Sequence, residues 1–246
     1  MDVKNFLDST YLKTPEAAGI SLEENLKILQ DLVDEAAQNG IYAVMIRPQY
    51  VKEIREYIDE RAPQVVLGTV IGFPEGTMST AGKLEEAEKA LSDGADELDF
   101  VMNYSKFLAG EVEACADEIA QCNALVLNAG KVIKWIIEAA AMSDEEIARA
   151  TALVAKTTLD CCSDKASNVF IKSSTGFYVC EDGKPNGATP HNIKIMLENA
   201  QGLPVKAAGG VRSREEAEAM IDLGVKRIGT SSAAAIVAGG KGNAGY

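Results

Sequence analysis

The chain has 246 residues, 47% of them hydrophobic and 25% charged, a length that fits one α/β barrel of about 250 residues. Its 24 basic and 37 acidic side chains give a formal net charge of −13, which disfavours binding to nucleic acid but allows a small phosphorylated ligand in a local pocket. No segment approaches the roughly 18 to 20 consecutive apolar residues of a membrane-spanning helix, so we expect a soluble globular protein without a membrane partner.

The cysteine and histidine content restricts the metal and redox chemistry that the sequence predicts. The five cysteines are odd in number and show no paired CxxC spacing, which predicts reduced thiols. His191 is the only histidine, which excludes a histidine-rich metal site; it follows a Thr-Pro pair at a predicted helix start and is expected to be structural. The first ten residues contain no apolar segment behind a basic start, so we expect a cytoplasmic location.

Apolar segments rich in Val and Ile alternate with helical patterns, and the repeat of about thirty residues is that of a βα unit. This alternation predicts a parallel sheet. The eight predicted strands are residues 6–12, 41–46, 65–71, 97–102, 132–137, 169–172, 205–207 and 227–229.

Amphipathic helical patterns fill the intervals between the predicted strands. Ser-x-x-Glu capping boxes begin two of these patterns, at Ser21 and Ser143. Lys83 is predicted to lie on the solvated side of the third helix. The eight predicted helices are residues 21–38, 50–61, 80–92, 112–129, 143–156, 190–200, 214–223 and 232–237.

Eight βα units without a long linker favour a closed (β/α)8 TIM barrel over a Rossmann sheet, whose usual GxGxxG sequence is missing after the first strand. We predict a single barrel domain over residues 1–238 and a flexible Gly-rich tail over residues 239–246. In such a barrel, functional side chains lie where the strands end and the βα loops begin.

Three lysines and one acid lie in the apolar strands of the predicted barrel: Lys134, Lys172, Lys206 and Asp99. An unpaired ammonium group is costly inside a barrel. Lys172 and Lys206 lie on neighbouring strands, so each disfavours the other's protonation and one can lose its proton near neutral pH. A neutral amine attacks carbonyl groups, which predicts an imine-forming lyase.

Each of these charged residues also has a purely structural interpretation. A lysine can end a strand or pair with Asp99 or Glu138, because ion-pair networks occupy such positions too. Asp99 can transfer protons, or it can form a salt bridge that only holds the lysines in register. These two roles of Asp99 are compatible.

Three glycine- and serine-containing loops follow the last three predicted strands and predict a phosphate site. Gly176 follows strand six, Gly209 and Gly210 follow strand seven, and Ser231 and Ser232 follow strand eight. Glycines let backbone N–H groups approach an anion, and barrels often bind phosphate after strands seven and eight.

Five segments of the sequence, which contain the candidate residues above, together resemble the class I deoxyribose-phosphate aldolases. In chain order they are DGADELDFVMN, VIKWIIE, FIKSSTGF, VKAAGGVR and RIGTSS. LDSTYLK near the N-terminus and VIGFPEGTMST are also similar to segments of that family. The resemblance extends over about residues 7–236.

The resemblance implies a role for each candidate residue. Lys172 would form the Schiff base with acetaldehyde, Lys206 would lower its pKa and assist proton transfer, Asp99 would complete the relay through water, and Lys134 would support them. The phosphate would be bound by Gly176, Gly209, Gly210, Ser231 and Ser232.

The implied reaction is the reversible cleavage of 2-deoxy-D-ribose 5-phosphate to D-glyceraldehyde 3-phosphate and acetaldehyde, in deoxyribonucleotide catabolism. No metal or organic cofactor is expected, because the imine accepts the electrons itself. The resemblance also suggests a homodimer.

Some positions differ from the family pattern. Ser9 replaces a histidine, Arg47 lies in MIRP where CVNP is frequent, and Ser173 replaces a frequent threonine. Arg47 is expected to narrow or recharge the mouth of the site. Tyr246, at the end of the tail, either folds over the pocket and moves a proton or belongs to a disordered end.

Two alternatives are left open by the residues. A related Schiff-base aldolase or transaldolase acting on another phosphorylated sugar would retain Lys172. A non-catalytic barrel that binds sugar phosphates would retain the glycine loops but would have no use for three buried lysines.

Overall fold

The computed structural model describes residues 2–180 and 185–242. Eight parallel strands pair in sequence order, and β1 pairs with β8, so the sheet closes into a barrel. The predicted (β/α)8 barrel is therefore confirmed. The strands are β1 (Leu7–Thr10), β2 (Ala43–Ile46), β3 (Val66–Ile71), β4 (Glu97–Val101), β5 (Val132–Ile136), β6 (Val169–Lys172), β7 (Val205–Ala208) and β8 (Arg227–Thr230).

Helices surround the barrel, and all eight predicted helices are found. The capping boxes at Ser21 and Ser143 are confirmed, since each serine side chain accepts from the backbone N–H three residues later. The helix that begins after Ser143 extends to Cys162, six residues beyond the predicted end at Lys156. Two short helices were not predicted, Pro15–Ala18 and Tyr104–Leu108.

In chain order the described helices are α1 (Pro15–Ala18), α2 (Leu22–Asn39), α3 (Val51–Arg61), α4 (Thr80–Ser92), α5 (Tyr104–Leu108), α6 (Val112–Asn128), α7 (Asp144–Cys162), α8 (Pro190–Asn199), α9 (Arg214–Leu223) and α10 (Ala233–Val237).

Alternate side chains of each strand point into the barrel and out toward the helices. On β4, Leu98 and Phe100 belong to the apolar layer under the helices, and Phe100 packs against Trp135 of β5 with ring centroids 5.3 Å apart. Asp99 lies between them in sequence and therefore points inward. The main hydrophobic core is this outer layer, which leaves room for charged side chains inside the barrel.

Lys83 corrects a sequence-based expectation. It was predicted on the solvated side of its helix, but it is fully buried between α4 and α6. Its Nζ contacts Glu118 Oε1 at 2.8 Å and donates to the carbonyl oxygen of Val101 at 2.7 Å. A buried ammonium group with two acceptors is satisfied, so Lys83 holds the two helices to the end of β4.

The C-terminal segment returns to the barrel as far as it is described. Lys241 forms an antiparallel bridge with Ser213, and the Gly242 N–H donates to the Arg212 carbonyl at 2.8 Å. The division into residues 1–238 and a flexible tail stays a prediction, and Tyr246 lies outside the described residues. Within residues 2–180 and 185–242, none of the helices has the length and apolarity needed to cross a membrane.

Candidate active site

The four predicted charged residues meet inside the barrel around one carboxylate. Asp99 contacts the amines of Lys134 at 2.6 Å, Lys206 at 2.8 Å and Lys172 at 2.9 Å. All four side chains are buried. The strand register explains the meeting, because Lys134 lies opposite Asp99, and Lys172 lies opposite Lys206.

Three further charged residues, which were not predicted from the sequence, belong to the same cluster. Asp8 contacts Lys206 at 2.5 Å and also binds the guanidinium of Arg227. Glu97 contacts Arg227 at 2.9 Å and Lys134 at 2.7 Å. Each is a charged residue in a buried strand, but polar residues next to it in the sequence make this signal weaker than for the lysines.

Lys172 differs from the other bases of this cluster in its number of partners. Lys134, Lys206 and Arg227 each contact two carboxylates, whereas Lys172, within the described residues, contacts only Asp99. The cluster thus holds four bases and three acids. One neutral amine makes it electrically balanced, and Lys172 is the base whose proton is least stabilised.

The pKa shifts follow from these contacts. Burial lowers the pKa of Lys172 from 10.5 to about 8; Asp99 opposes this shift, and Lys206 and Lys134 add to it. Burial disfavours ionisation of Asp99, but the three lysines outweigh burial and hold its pKa well below the usual range. Burial likewise disfavours protonation of Lys134, yet Asp99 and Glu97 raise its pKa above the usual value.

Glu138 lies beyond the end of β5, next to this cluster. It is buried, and burial raises the pKa of its carboxyl to about 7, although bonds from Thr175 and the charge of Lys172 oppose the shift. Its Oε1 atom and the Oγ atom of Ser174 are both buried and have no hydrogen-bond partner among the described residues. From the sequence, Glu138 is expected only as a possible ion-pair partner of a lysine.

The predicted phosphate-binding glycines lie on adjoining loops. Gly176, Gly209 and Gly210 adopt left-handed conformations with φ of 81°, 76° and 82°, which favour glycine. A Cβ atom on Gly209 would lie 3.6 Å from the Gly176 Cα and 2.9 Å from the Gly187 Cα. The loops after β6 and β7 therefore approach each other more closely than side chains would allow.

The predicted serines line a separate part of the mouth. Ser231 and Ser232 border a cavity of about 420 Å³ at the ends of β1 and β8. Lys13 and Lys241 also line this cavity, and neither was singled out from the sequence. Glu35 lines it as well, so two basic residues and one acidic residue border the cavity, whereas the three glycines are not among its lining residues.

Arg47 and Ser9, the two departures from the family pattern, occupy different environments. Ser9 is buried in β1 between the inward-pointing positions of Asp8 and Thr10. Arg47 follows β2 and is partly exposed at the mouth. Its guanidinium donates to the Leu12 carbonyl at 2.8 Å and lies 4.8 Å from the Phe73 ring centroid.

Two other predicted features lie away from the cluster. His191 is exposed at the start of α8 and contacts Asp144 of α7 at 2.8 Å, as a surface contact between helices. In the described part of the chain, no group of three or more His, Cys, Asp or Glu side chains is arranged to hold a metal ion.

Comparison with known proteins agrees with this geometry over the whole chain. An aldolase from Thermococcus gammatolerans, named deoxyribose-phosphate aldolase, is 38% identical over 242 residues, which are 98% of this chain and 97% of the relative. A protein of the same name from Lactiplantibacillus plantarum is 37% identical over 238 residues, 96% of this chain and 99% of the relative.

A solved structure gives the same result. The deoxyribose phosphate aldolase from Aeropyrum pernix, described as tetrameric, superposes with a TM-score of 0.78 at 30% identity, covering 96% of this chain and 89% of that one. The family model of the DeoC/LacD family aldolases matches residues 8–243, which include every charged residue of the cluster. On this evidence the chain belongs to the DeoC/LacD family of aldolases.

Proposed function

We propose that this aldolase cleaves 2-deoxy-D-ribose 5-phosphate reversibly to D-glyceraldehyde 3-phosphate and acetaldehyde, through an imine on Lys172. The observation that carries the proposal is the buried amine of Lys172, whose pKa is lowered to about 8 and which, among the described residues, contacts a single carboxylate. The names of the full-length relatives support the choice of substrate.

The reaction begins with the neutral amine of Lys172. The amine attacks the C1 aldehyde of the open-chain sugar to give a carbinolamine, and uptake of a proton with loss of water gives an iminium ion. When the C3 hydroxyl gives its proton to the relay of Asp99 and a bound water, the C2–C3 bond breaks, C3 becomes the aldehyde of the three-carbon product, and the electron pair of the bond forms an enamine. Protonation at C2 and addition of water then release acetaldehyde and restore the amine.

Three neighbouring residues support the reaction of Lys172. Lys206 lies opposite Lys172, lowers its pKa, and supplies an ammonium group for proton transfer. Asp99 stays ionised and holds the amines of Lys172 and Lys206 within 2.9 Å of one oxygen, so that a proton passes between them or through a bound water. Lys134 fixes the other oxygen of Asp99 at 2.6 Å.

The phosphate is assigned to the loops after β6, β7 and β8. Gly176, Gly209 and Gly210 offer backbone N–H groups, and Ser231 and Ser232 line the cavity that Lys13, Lys241 and Glu35 also border. Lys13 and Lys241 extend the predicted site with two ammonium groups. This local positive charge allows an anionic substrate to bind a chain whose formal net charge is −13.

The oligomeric state and the cellular location of the protein are also part of the proposal. We propose a homodimer, which would have twice the chain's mass in light scattering; the support is that one relative is described as a tetramer and that such tetramers commonly contain dimers. A cytoplasmic location is supported by the odd number of cysteines without paired CxxC spacing, which predicts reduced thiols.

Borohydride trapping tests the proposed imine. We expect reduction in the presence of acetaldehyde, or of 2-deoxyribose 5-phosphate, to leave a stable adduct that peptide mapping places on Lys172. Protein treated with borohydride alone is the control, and Lys172→Ala is expected to lose both the adduct and turnover. An adduct on another lysine, or turnover in Lys172→Ala, would overturn the assignment.

A further inference from the structure

The backbone of Glu138 adopts a conformation that is unusual for its residue type. Its φ of 57° and ψ of 62° lie in the left-handed region, which is unfavourable for a residue with a Cβ atom. The surrounding strand ends hold it there, since the flanking N–H groups of Ile137 and Ala139 donate to the Lys172 and Ser173 carbonyls. A strained residue bound to the end of β6 suggests a functional constraint.

The carboxyl group of Glu138 connects β5 to the loop that follows Lys172. Its Oε2 atom accepts from the Thr175 N–H at 3.2 Å and from the Thr175 hydroxyl in a shorter contact. The side chain is almost completely buried, so water does not compete with these bonds. A cavity of about 180 Å³ lies beside Glu138, and Thr175, Phe177 and Tyr104 also line it.

Thr175 connects the carboxyl group of Glu138 to Phe177 at the mouth of the barrel. Its Oγ1 atom accepts from the Phe177 N–H at 3.0 Å. The Phe177 ring packs edge-on against Phe73 with centroids 5.1 Å apart, and the Arg47 guanidinium lies within 6 Å of both rings. These hydrogen bonds thus connect Glu138 through Thr175 to Phe177. The rings of Phe177 and Phe73 form an aromatic wall, the Phe177 wall, beside the Arg47 guanidinium.

We propose that Glu138 is a positioning residue of the aldol reaction, which fixes residues 173–177 and thereby places the Phe177 wall and the Gly176 backbone against the phosphorylated part of the substrate. The inference rests on the proposed function, because Lys172 precedes this segment directly. It assigns Glu138 no contact with the reacting atoms. The role is separate from that of Asp99, which acts on the amines themselves.

This role predicts which kinetic parameter changes. Acetaldehyde is small and reacts at Lys172, so its imine does not need the Phe177 wall. In the proposed phosphate site the Gly176 backbone binds the sugar phosphate, so binding of that substrate depends on the position of residues 173–177. Removing a hydrogen bond to a charged group shifts the equilibrium that holds a segment in place by about tenfold to a hundredfold. We therefore expect Glu138→Ala to raise KM for the sugar phosphate at least tenfold and to leave acetaldehyde trapping on Lys172 within about twofold of the original chain.

A double-mutant cycle tests the pathway through Thr175. Glu138→Ala, Thr175→Val and the double variant are compared by kcat and KM for 2-deoxyribose 5-phosphate and by acetaldehyde trapping. If Glu138 acts through Thr175, the double variant is no worse than Glu138→Ala alone. Glu138→Gln retains an acceptor for Thr175 and is expected to recover most of the loss. Additive losses, or an equal loss of acetaldehyde trapping, would overturn the proposal.

A glycine variant separates positioning from folding. Glu138→Gly removes the carboxyl group and also relieves the left-handed strain, so we expect it to fold and to show the KM increase of Glu138→Ala. Gln201→Gly is the matched control, because Gln201 is exposed and has a φ of 49°; its kinetics should not change. Unchanged KM in Glu138→Gly would refute the proposal. Failure of the original chain to form the acetaldehyde adduct would instead refute the proposed function.

Discussion

At the scale of single residues, Lys172 is a site where reactivity opposes stability. Its pKa is lowered from 10.5 to about 8, so the folded protein binds this proton more weakly than the unfolded chain does. Below about pH 8 the charged amine therefore reduces the stability of the fold, by an amount on the order of 3 kcal/mol. The penalty disappears as the pH rises from about 8 to 10.5, where the unfolded chain also loses the proton.

Replacing Lys172 by methionine should therefore stabilise the protein while removing its activity. Methionine has a similar length and no charge, and it leaves three bases with three acids in the cluster. We expect the free energy of unfolding of Lys172→Met to exceed that of the original chain at pH 7, and the difference to shrink toward pH 10.5. Urea unfolding at several pH values measures it.

Lys156→Met is the control for that experiment. Lys156 is a lysine of α7 with an exposed side chain, so its replacement should change the free energy of unfolding little at any pH. If Lys172→Met is less stable than the original chain at pH 7, its contact with Asp99 outweighs its burial and the explanation of the lowered pKa is wrong.

The residues predicted from the sequence share one signal, a charge inside an apolar strand. That signal identified Asp99, Lys134, Lys172 and Lys206, and the structure brings them together. Asp8, Glu97 and Arg227 lie at or near the beginnings of their strands, where neighbouring polar residues weaken the same signal. The environment of Glu138 depends on a left-handed backbone and on Thr175, which only the assembled barrel reveals.

At the scale of elements, the ion pair between Lys83 and Glu118 joins α4 to α6. The buried face of α4 consists of Lys83, Ala87 and Ala90, three positions with helical spacing. Alanines mark an apolar face weakly, which is why the sequence pattern placed Lys83 on the solvated side. Glu118 also accepts from the Asn103 N–H at 3.2 Å, so the pair supports the segment that leaves β4.

Removal of one member of this pair should destabilise the barrel strongly. Lys83→Met leaves the Glu118 carboxylate buried without its cation, and such changes cost about 3–5 kcal/mol. We expect a loss of this size in urea unfolding, and a smaller loss when Lys83→Met is combined with Glu118→Leu. Lys89→Met, on the exposed side of the same helix, should cost at most about 1 kcal/mol. Equal losses from the two lysines would contradict the buried pair.

At the scale of the whole molecule, ion pairs of Asp8 connect the first strand of the barrel to the last two. It lies on the first strand and binds Arg227 of the last strand and Lys206 of the one before it. Burial would raise the pKa of Asp8, but Arg227 and Lys206 outweigh burial and lower it from 3.8 to about 2. The ionised carboxylate therefore contributes stability that is fully present above about pH 4 and is lost as the pH falls through about 2.

Asp8→Asn should remove this part of the acid sensitivity. The shift corresponds to roughly 2 kcal/mol, so the free energy of unfolding of the original chain should fall between pH 4 and pH 2 more steeply than that of the variant. At pH 7 the variant should be less stable, because Arg227 and Lys206 each lose a carboxylate partner. If the free energies of unfolding of the two proteins change with pH in parallel, the ionised carboxylate of Asp8 does not stabilise the barrel.

The architecture was predictable because it repeats. Eight strand and helix periods, with Ser21 and Ser143 as capping residues, lead to a barrel without knowledge of any tertiary contact. The contacts between Gly187 and Gly209, and the cavity that Lys13 and Lys241 line, depend on loops that meet only after the sheet closes. Local periodicity does not encode such contacts.

The excess of one base in the barrel interior has a consequence for bond cleavage in the proposed reaction. Converting the neutral amine of Lys172 to an iminium ion returns a fourth positive charge to a cluster in which the described residues supply three carboxylates. The enamine that follows carries no charge. The excess positive charge therefore destabilises the iminium ion relative to the enamine. The residues that hold Lys172 in place thus also favour movement of the electron pair of the C2–C3 bond toward its nitrogen.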